Sequence, residues 1–245
     1  MKATRDPQRD FKRILNCFEC CENGISYEPA DSAYIKYVLR LFPNLKPTNN
    51  RPDAYSITDN TLLLLEHFQF DNGSISRKGS KQITDQIAID KKINKELLSG
   101  KDLVMVNQQT IRSGKLYIDN YMKQYNEHIA NVDAYKLEMQ IELKQQFDNI
   151  LVGFVVEDVS PLGSSYFDGK WKGVDLTYTT EFLDAFEESS LDFVFAFMTD
   201  AGDNNIASFI SKQSVLQHRA KSIKISSVNK FVFNNCIHTG FTIRF

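Results

Sequence analysis

Apolar and polar positions along the chain alternate between two periods. Residues 8 to 22 mix charged and apolar side chains at helical spacing and stop at Asn23-Gly24, a helix C-cap signal. A second helix is predicted from Asp31 through SAYIKYVLRLF, with Tyr34, Tyr37, Val38 and Leu41 on one stripe, ended by Pro43 and Pro47. NLKPTNNRP then reads as a loop. Residues 53 to 57 and 61 to 70 read as two strands of a hairpin, joined by the turn chemistry of Thr58-Asp59-Asn60. The continuous run of leucines in TLLLLEHFQF suits a strand buried on both faces.

A polar loop, DNGSISRKGSKQ, leads to a predicted helix over 82 to 98. Residues 116 to 149 are strongly helical, with Ile118, Tyr121, Met122, Tyr125, Ile129 and Val132 at i, i+3, i+4 spacing. The apolar phase shifts near Asn131-Val132-Asp133, which predicts a kink or two consecutive helices. ILVGFVV and LDFVFAFM read as buried strands with a short helix over 180 to 188 between them. A helix over 206 to 220 and terminal strands in KSIKIS and FTIRF complete the pattern. The order helix, hairpin, long helix, strand, helix, strand defines a mixed α/β fold.

Composition adds few constraints. The 29 basic and 31 acidic side chains give a net charge of -2, which does not advertise a nucleic-acid binder overall. The balance is uneven: seven basic against three acidic residues run from Arg77 to Lys101, and Glu157 to Asp203 is acidic. Such segregation is commonly a solvated surface, and otherwise a basic surface that meets phosphates. No run approaches 18 apolar residues, so no membrane span is expected, and the charged first residues predict a cytoplasmic protein. P-loop, dinucleotide and nucleophile-elbow fingerprints are absent from the sequence. Cys17, Cys20, Cys21 and Cys236 have the residue types of a zinc site together with His238. Helical spacing beside Ile14 and Phe18 favours the plainer reading of Cys17, Cys20 and Cys21 as small buried apolar residues. A disulfide framework is not expected in a cytosolic chain.

The stretch RPDAYSITDNTLLLLEHFQFD carries the chemistry. If its strands pair through the 58 to 60 turn, the carboxylates of Asp53 and Glu66 lie side by side. Adjacent carboxylates repel unless a cation sits between them, and oxygen ligands suit Mg²⁺ or Mn²⁺. Such an ion generates hydroxide and stabilises charge on a phosphodiester. The plainer alternative is an ordinary hairpin with one capped Asp and one edge Glu. Arg77, Lys78 and Lys81, in a Gly-Ser loop, offer cations and backbone N–H groups to phosphates, or simply a solvated loop.

Pro52-Asp53, the apolar run and Glu66-His67 resemble the PD-(D/E)xK, or restriction-endonuclease-like, nuclease superfamily. The resemblance covers about residues 10 to 157. It implies a core of helix, three-stranded meander, helix and strand over 1–157. Residues 158–245 would be a C-terminal α/β extension of the same sheet. By the same resemblance Asp53 and Glu66 would hold Mg²⁺ or Mn²⁺, the His67 carbonyl would complete the site, and the substrate would be DNA. No small-molecule cofactor is implied, and a homo-oligomer is left open. The position of the motif lysine holds Phe68. His67 points to the other face of its strand by alternation. Replacement candidates are therefore Lys78 and Lys81 from the loop, or Lys136, Gln140 and Lys144 from the long helix. Lys144, on a rigid element, ranks first, then Lys81, then Lys136. The alternative function is a catalytically inactive nuclease-like module that binds nucleic acid or a protein partner. Glu28 and Asp31 are candidates for a further acid on the first helix, although Asp31 reads better as an N-cap. Glu157-Asp158 reads as a turn and Trp171 as a packing anchor rather than a base-stacking platform.

Overall fold

A computed structural model describes residues 6–19, 24–70, 91, 95, 107–112, 114–158, 165–167, 170–172, 175–199, 205–227 and 231–236. Its helices are α1 (Pro7–Glu19), α2 (Ser32–Arg40), α3 (Gly114–Ile129), α4 (Val132–Leu143), α5 (Thr180–Glu188) and α6 (Val215–Lys221). Its strands are β1 (Ile25–Tyr27), β2 (Lys46–Pro47), β3 (Ala54–Thr58), β4 (Thr61–Phe70), β5 (Asn107–Arg112), β6 (Asn149–Asp158), β7 (Ser165–Phe167), β8 (Lys170–Lys172), β9 (Phe193–Thr199), β10 (Asn205–Ser211) and β11 (Phe231–Cys236). Seven strands form one mixed sheet in the order β1-β10-β9-β6-β4-β3-β2. The strands β2, β3 and β4 form an antiparallel meander, and β4, β6 and β9 run parallel. Residues beyond 157 therefore extend the same sheet. Two small pairs, β5 with β11 and β7 with β8, stand apart from it.

The β3–β4 hairpin explains its own register. Asp59 and Asn60 both have positive φ, 48° and 58°, which suits a two-residue turn whose twist matches the strands. Thr58 then pairs with Thr61 and Ala54 with Leu65. Leu62 through Leu65 are all fully buried because both sheet faces are covered. Each such burial contributes about 1.5–3 kcal/mol, so β4 is the axis of the fold. Even-numbered β4 residues Leu62 and Leu64 meet Phe154, Val194 and the inner faces of α3, α4, α5 and α6. Odd-numbered Leu63 and Leu65 meet Val155, Phe195, Phe209, α1 and α2. Gly153 on β6 is required by packing: a Cβ there would lie 2.0 Å from the ring of the buried Phe193.

The long helical stretch is two helices, broken at 130–131 where the apolar phase shifts, and it ends at Leu143 rather than running to 149. Other expectations are corrected. Lys46–Pro47, read as loop, is an edge strand, a place that tolerates proline. The helix expected over 206 to 220 is strand β10, then a turn, then α6. Ile206, Phe209, Ile210 and Val215 imitate helical spacing, but antiparallel pairing with β9 takes the first half of that segment. KSIKIS holds only one bridge, Ile223 with Thr179, followed by a single 3-10 turn. Of the helix expected over 82 to 98, only Lys91 and Lys95 are described, and both are helical. FTIRF lies outside the described residues. No helix among the described residues is long and apolar enough to cross a membrane.

Candidate functional site

The hairpin register places Asp53, the residue before β3, at the position opposite Glu66, because Ala54 pairs with Leu65. Both acids are buried, Glu66 almost completely. The Asp53 carboxylate accepts the His67 backbone N–H at 2.6 Å, continuing the ladder where the strand begins. Glu66 projects toward α3 and α4. Its Oε1 accepts from the Arg51 guanidinium at 3.1 Å and from His128 Nδ1 at 3.0 Å. Its Oε2 is buried with no hydrogen-bond partner. A buried acceptor left unpaired costs about 1–3 kcal/mol, so this atom is unlike an ordinary core polar group.

Phe68, in place of the motif lysine, is a core residue that supports the site from the same face of β4 as Glu66. Its ring stacks on the His128 imidazole with centroids 4.5 Å apart and planes 15° apart. An imidazole from α3 therefore lies against Phe68 on the face of β4 that carries Glu66. Tyr135, the first inward residue of α4 after Val132, completes the group. Its hydroxyl misses strict hydrogen-bond geometry but lies close enough to Glu66 and Arg51 to interact with both. Burial first, and Glu66 second, push the phenol up to about 12. Burial works against the charge on Arg51, but Glu66, Tyr135 and Asp53 together raise its guanidinium above the ordinary value. Arg51 and Tyr135 face a cleft of about 740 Å³ that is also lined by Asn50, Asn131, Glu138 and Glu142.

The described helix candidates, Lys136, Gln140 and Lys144, do not converge on the acids. Lys144 is the exposed, left-handed C-cap of α4. The next residue, Gln145, bonds Asn60, and Asp148 N–H bonds the Asn60 carbonyl, which puts this end of α4 at the hairpin turn. Glu66 lies six residue steps along the strand from Asn60, roughly 20 Å at the usual rise. That span is beyond a lysine side chain. Lys136 turns away to the Ser190 carbonyl at 3.4 Å. Gln140 bonds the Lys136 carbonyl within its own helix. Arg77, Lys78 and Lys81 lie outside the described residues. His67 points to the opposite face, as alternation predicts, and its Nε2 lies 3.2 Å from Glu157 Oε2.

Three neighbours of Glu66 carry no local sequence signal that ties them to it: Arg51, His128 and Tyr135. One wider pattern was present. Tyr117, Tyr121, Tyr125, His128, Val132, Tyr135 and Met139 recur at three- and four-residue intervals, so His128 is the one imidazole on a stripe of buried tyrosines and apolar residues. Elsewhere, Glu28 is buried under Lys221 and the Tyr178 hydroxyl. Asp31 stands at the N-cap position but makes no cap bond, accepting instead from the Ser211 hydroxyl at 2.5 Å and fastening β10. Asp158 takes the Tyr117 hydroxyl at 2.9 Å rather than forming a turn. The Trp171 and Cys236 side chains, and Cys20 and Cys21, lie outside the described residues. No family model, curated protein or solved structure matches the chain.

Proposed function

We propose that the protein is a metal-dependent phosphodiesterase of nuclease type, with a restriction-endonuclease-like core over 1–157 and DNA as substrate. What supports the reading is an order of elements: helix α2, the β2–β3–β4 meander, the α3–α4 pair, then β6 parallel to β4. The observation that carries it is the buried, unpartnered Glu66 Oε2 beside the position of Asp53. Two carboxylates and an unfilled acceptor are the donor set of Mg²⁺ or Mn²⁺. When bound, such an ion lowers the pKa of water and offsets phosphodiester charge.

The chain's own residues have separate tasks in this reading. Asp53 and Glu66 hold the cation by carboxylate. Arg51, permanently charged and half exposed on the cleft, meets a phosphate oxygen. His128, fixed by Phe68 and by its bond to Glu66, takes over the motif lysine's orienting role. The test is cleavage of single- and double-stranded DNA with Mn²⁺, compared with Asp53→Asn and Glu66→Gln. Loss of cleavage in both variants, with the fold kept, supports the proposal.

A second reading is favoured by one group of observations. Arg51 already forms an ion pair with Glu66, His128 hydrogen-bonds the same carboxylate oxygen, and Glu138 and Glu142 at the cleft make it unfavourable to a polyanion. A catalytically inactive nuclease-like module that binds a protein partner fits that arrangement. Native protein that neither binds Mn²⁺ nor cleaves either form of DNA selects this reading.

A further inference from the structure

On the face of the sheet opposite the acid pair, side chains from three elements converge. Cys17 comes from α1, His67 from β4 and Glu157 from β6. The ligand atoms of all three lie within 4.8 Å of one another. We propose that these three residues form a zinc site, on the opposite face of β4 from Glu66.

The topology explains the convergence. His67 pairs with Val155 and Gln69 with Glu157, so His67 and Glu157 are diagonal neighbours on the odd-numbered face of two parallel strands. The helix α1 packs across that face through Ile14, Phe11 and Phe18, and this brings Cys17 over the pair. The donor set is one sulfur, one imidazole nitrogen and one carboxylate oxygen, the mixture that selects Zn²⁺ over Mg²⁺ or Ca²⁺. Tetrahedral geometry with the usual zinc–nitrogen and zinc–oxygen lengths separates those two donors by about 3.4 Å. His67 Nε2 and Glu157 Oε2 are 3.2 Å apart.

The surroundings hold the ligands in place. Gln69 Nε2 donates to Glu157 Oε2 at 2.7 Å and fixes the carboxylate. The His67 backbone N–H is tied to Asp53, which fixes the strand beneath the ring. On coordination the Cys17 thiol releases its proton to solvent, and the His67 ring changes tautomer through solvent, its proton moving from Nε2, where it faces Glu157 Oε2, to Nδ1, which frees Nε2 to bind the ion. One thiolate and one carboxylate balance the dication. Three protein ligands leave a fourth position to water, reached past Glu157, whose side chain is 30% exposed while that of His67 is 3% exposed.

The probe is Co²⁺, then Zn²⁺, added to chelator-treated full-length protein. In a Cys20→Ser/Cys21→Ser/Cys236→Ser variant, Cys17 is the remaining thiol. This variant binds one Co²⁺ per chain and develops thiolate-to-cobalt absorption with a tetrahedral visible spectrum. Adding Cys17→Ser or His67→Ala removes the absorption. Gln69→Ala weakens zinc binding by roughly 10–100-fold, as loss of a supporting hydrogen bond does. No absorption in the folded triple variant, or absorption unchanged by Cys17→Ser, overturns the proposal. Should the triple variant not fold by circular dichroism, zinc titration of the native chain, Cys17→Ser and Glu157→Gln decides. Equal stoichiometry and affinity in all three overturns it; loss in both variants supports it. Glu66→Gln leaves zinc binding unchanged, so failure here is distinct from failure at the acid pair.

Discussion

Replacing Glu66 by glutamine separates a metal ligand from a structural anchor. The side chain keeps its shape and loses its charge. In the native protein the unpaired Oε2 costs about 1–3 kcal/mol. The two bonds at Oε1 work the other way. Arg51 is 51% exposed, so its pairing is screened and contributes at most about 1 kcal/mol. The His128 bond, at 3.0 Å and largely enclosed, contributes about 1.5–3 kcal/mol if charge-assisted, and part survives as a neutral bond to the amide oxygen. Glutamine leaves an amide group buried in the place of Oε2, so that cost carries over, and the variant loses only the charged part of the two Oε1 bonds; Glu66→Gln therefore lowers stability by about 1–2 kcal/mol in urea unfolding without metal. The metal response differs sharply. Mn²⁺ at a hundred times its Kd stabilises the native protein by about 2.7 kcal/mol. For a chain of 245 residues each kcal/mol moves Tm by about 2–4 °C, giving a rise of about 5–11 °C. Thermal melts with and without Mn²⁺ show that rise in the native protein and in neither Glu66→Gln nor Asp53→Asn. The reasoning is refuted if the native Tm does not move and Glu66→Gln loses about 3–5 kcal/mol, the signature of a broken buried ion pair.

Phe68→Lys, which supplies the lysine that the resemblance calls for, removes the ring that stacks on His128 and buries a cation in its place; it lowers stability by at least about 3–5 kcal/mol in urea unfolding and does not raise Mn²⁺-dependent cleavage. A stable Phe68→Lys protein with faster cleavage would remove His128 from the lysine's role. Gly153→Ala drives a methyl into Phe193, whose ring is boxed in by Phe195, Phe209 and Tyr34, and lowers the urea-unfolding free energy by at least about 1–3 kcal/mol. Burial opposes charge on Glu28, but Lys221 and Tyr178 bring its carboxyl below the ordinary 4.5. A depressed carboxyl contributes stability that is present above 4.5 and lost as pH falls through the lower folded value. The native chain is therefore more stable than Glu28→Gln at neutral pH, and the two stability–pH curves converge on acidification below 4.5; parallel curves would show that the Lys221 pair contributes nothing.

Local physics made part of this protein legible. Two turn residues that accept positive φ set the β3–β4 register, and that register alone brings Asp53 opposite Glu66. The leucine run marked β4 as buried on both faces, and the phase shift near Asn131 marked the α3–α4 break. Segment 206 to 220 was misread because a strand, a turn and a helix in succession place apolar residues at spacings that imitate one long helix. Partners fixed only by tertiary packing were out of reach. His128 and Tyr135 lie 62 and 69 positions beyond Glu66 in the sequence, and nothing local ties them to it. The lysine candidates on the long helix failed for a related reason: the direction of α4 across the sheet carries Tyr135 to Glu66 and Lys144 to the hairpin turn.

The same strand organises both proposed sites, and its alternation keeps them chemically apart. Glu66 faces α3 and α4, where its neighbours are a carboxylate, a guanidinium, a phenol and an imidazole. His67 faces α1, where its neighbours are a carboxylate and a thiol. A hard dication suits the first set and a borderline one the second. The peptide between them is common to both, since the His67 N–H binds the Asp53 carboxylate while the His67 ring binds Glu157. Fixing the ring from one face therefore restrains the N–H that positions Asp53 on the other. Zinc bound to Cys17, His67 and Glu157 would stiffen the edge of the acid pair through a single residue, without any atom of the zinc site entering the cleft that Arg51 and Tyr135 line.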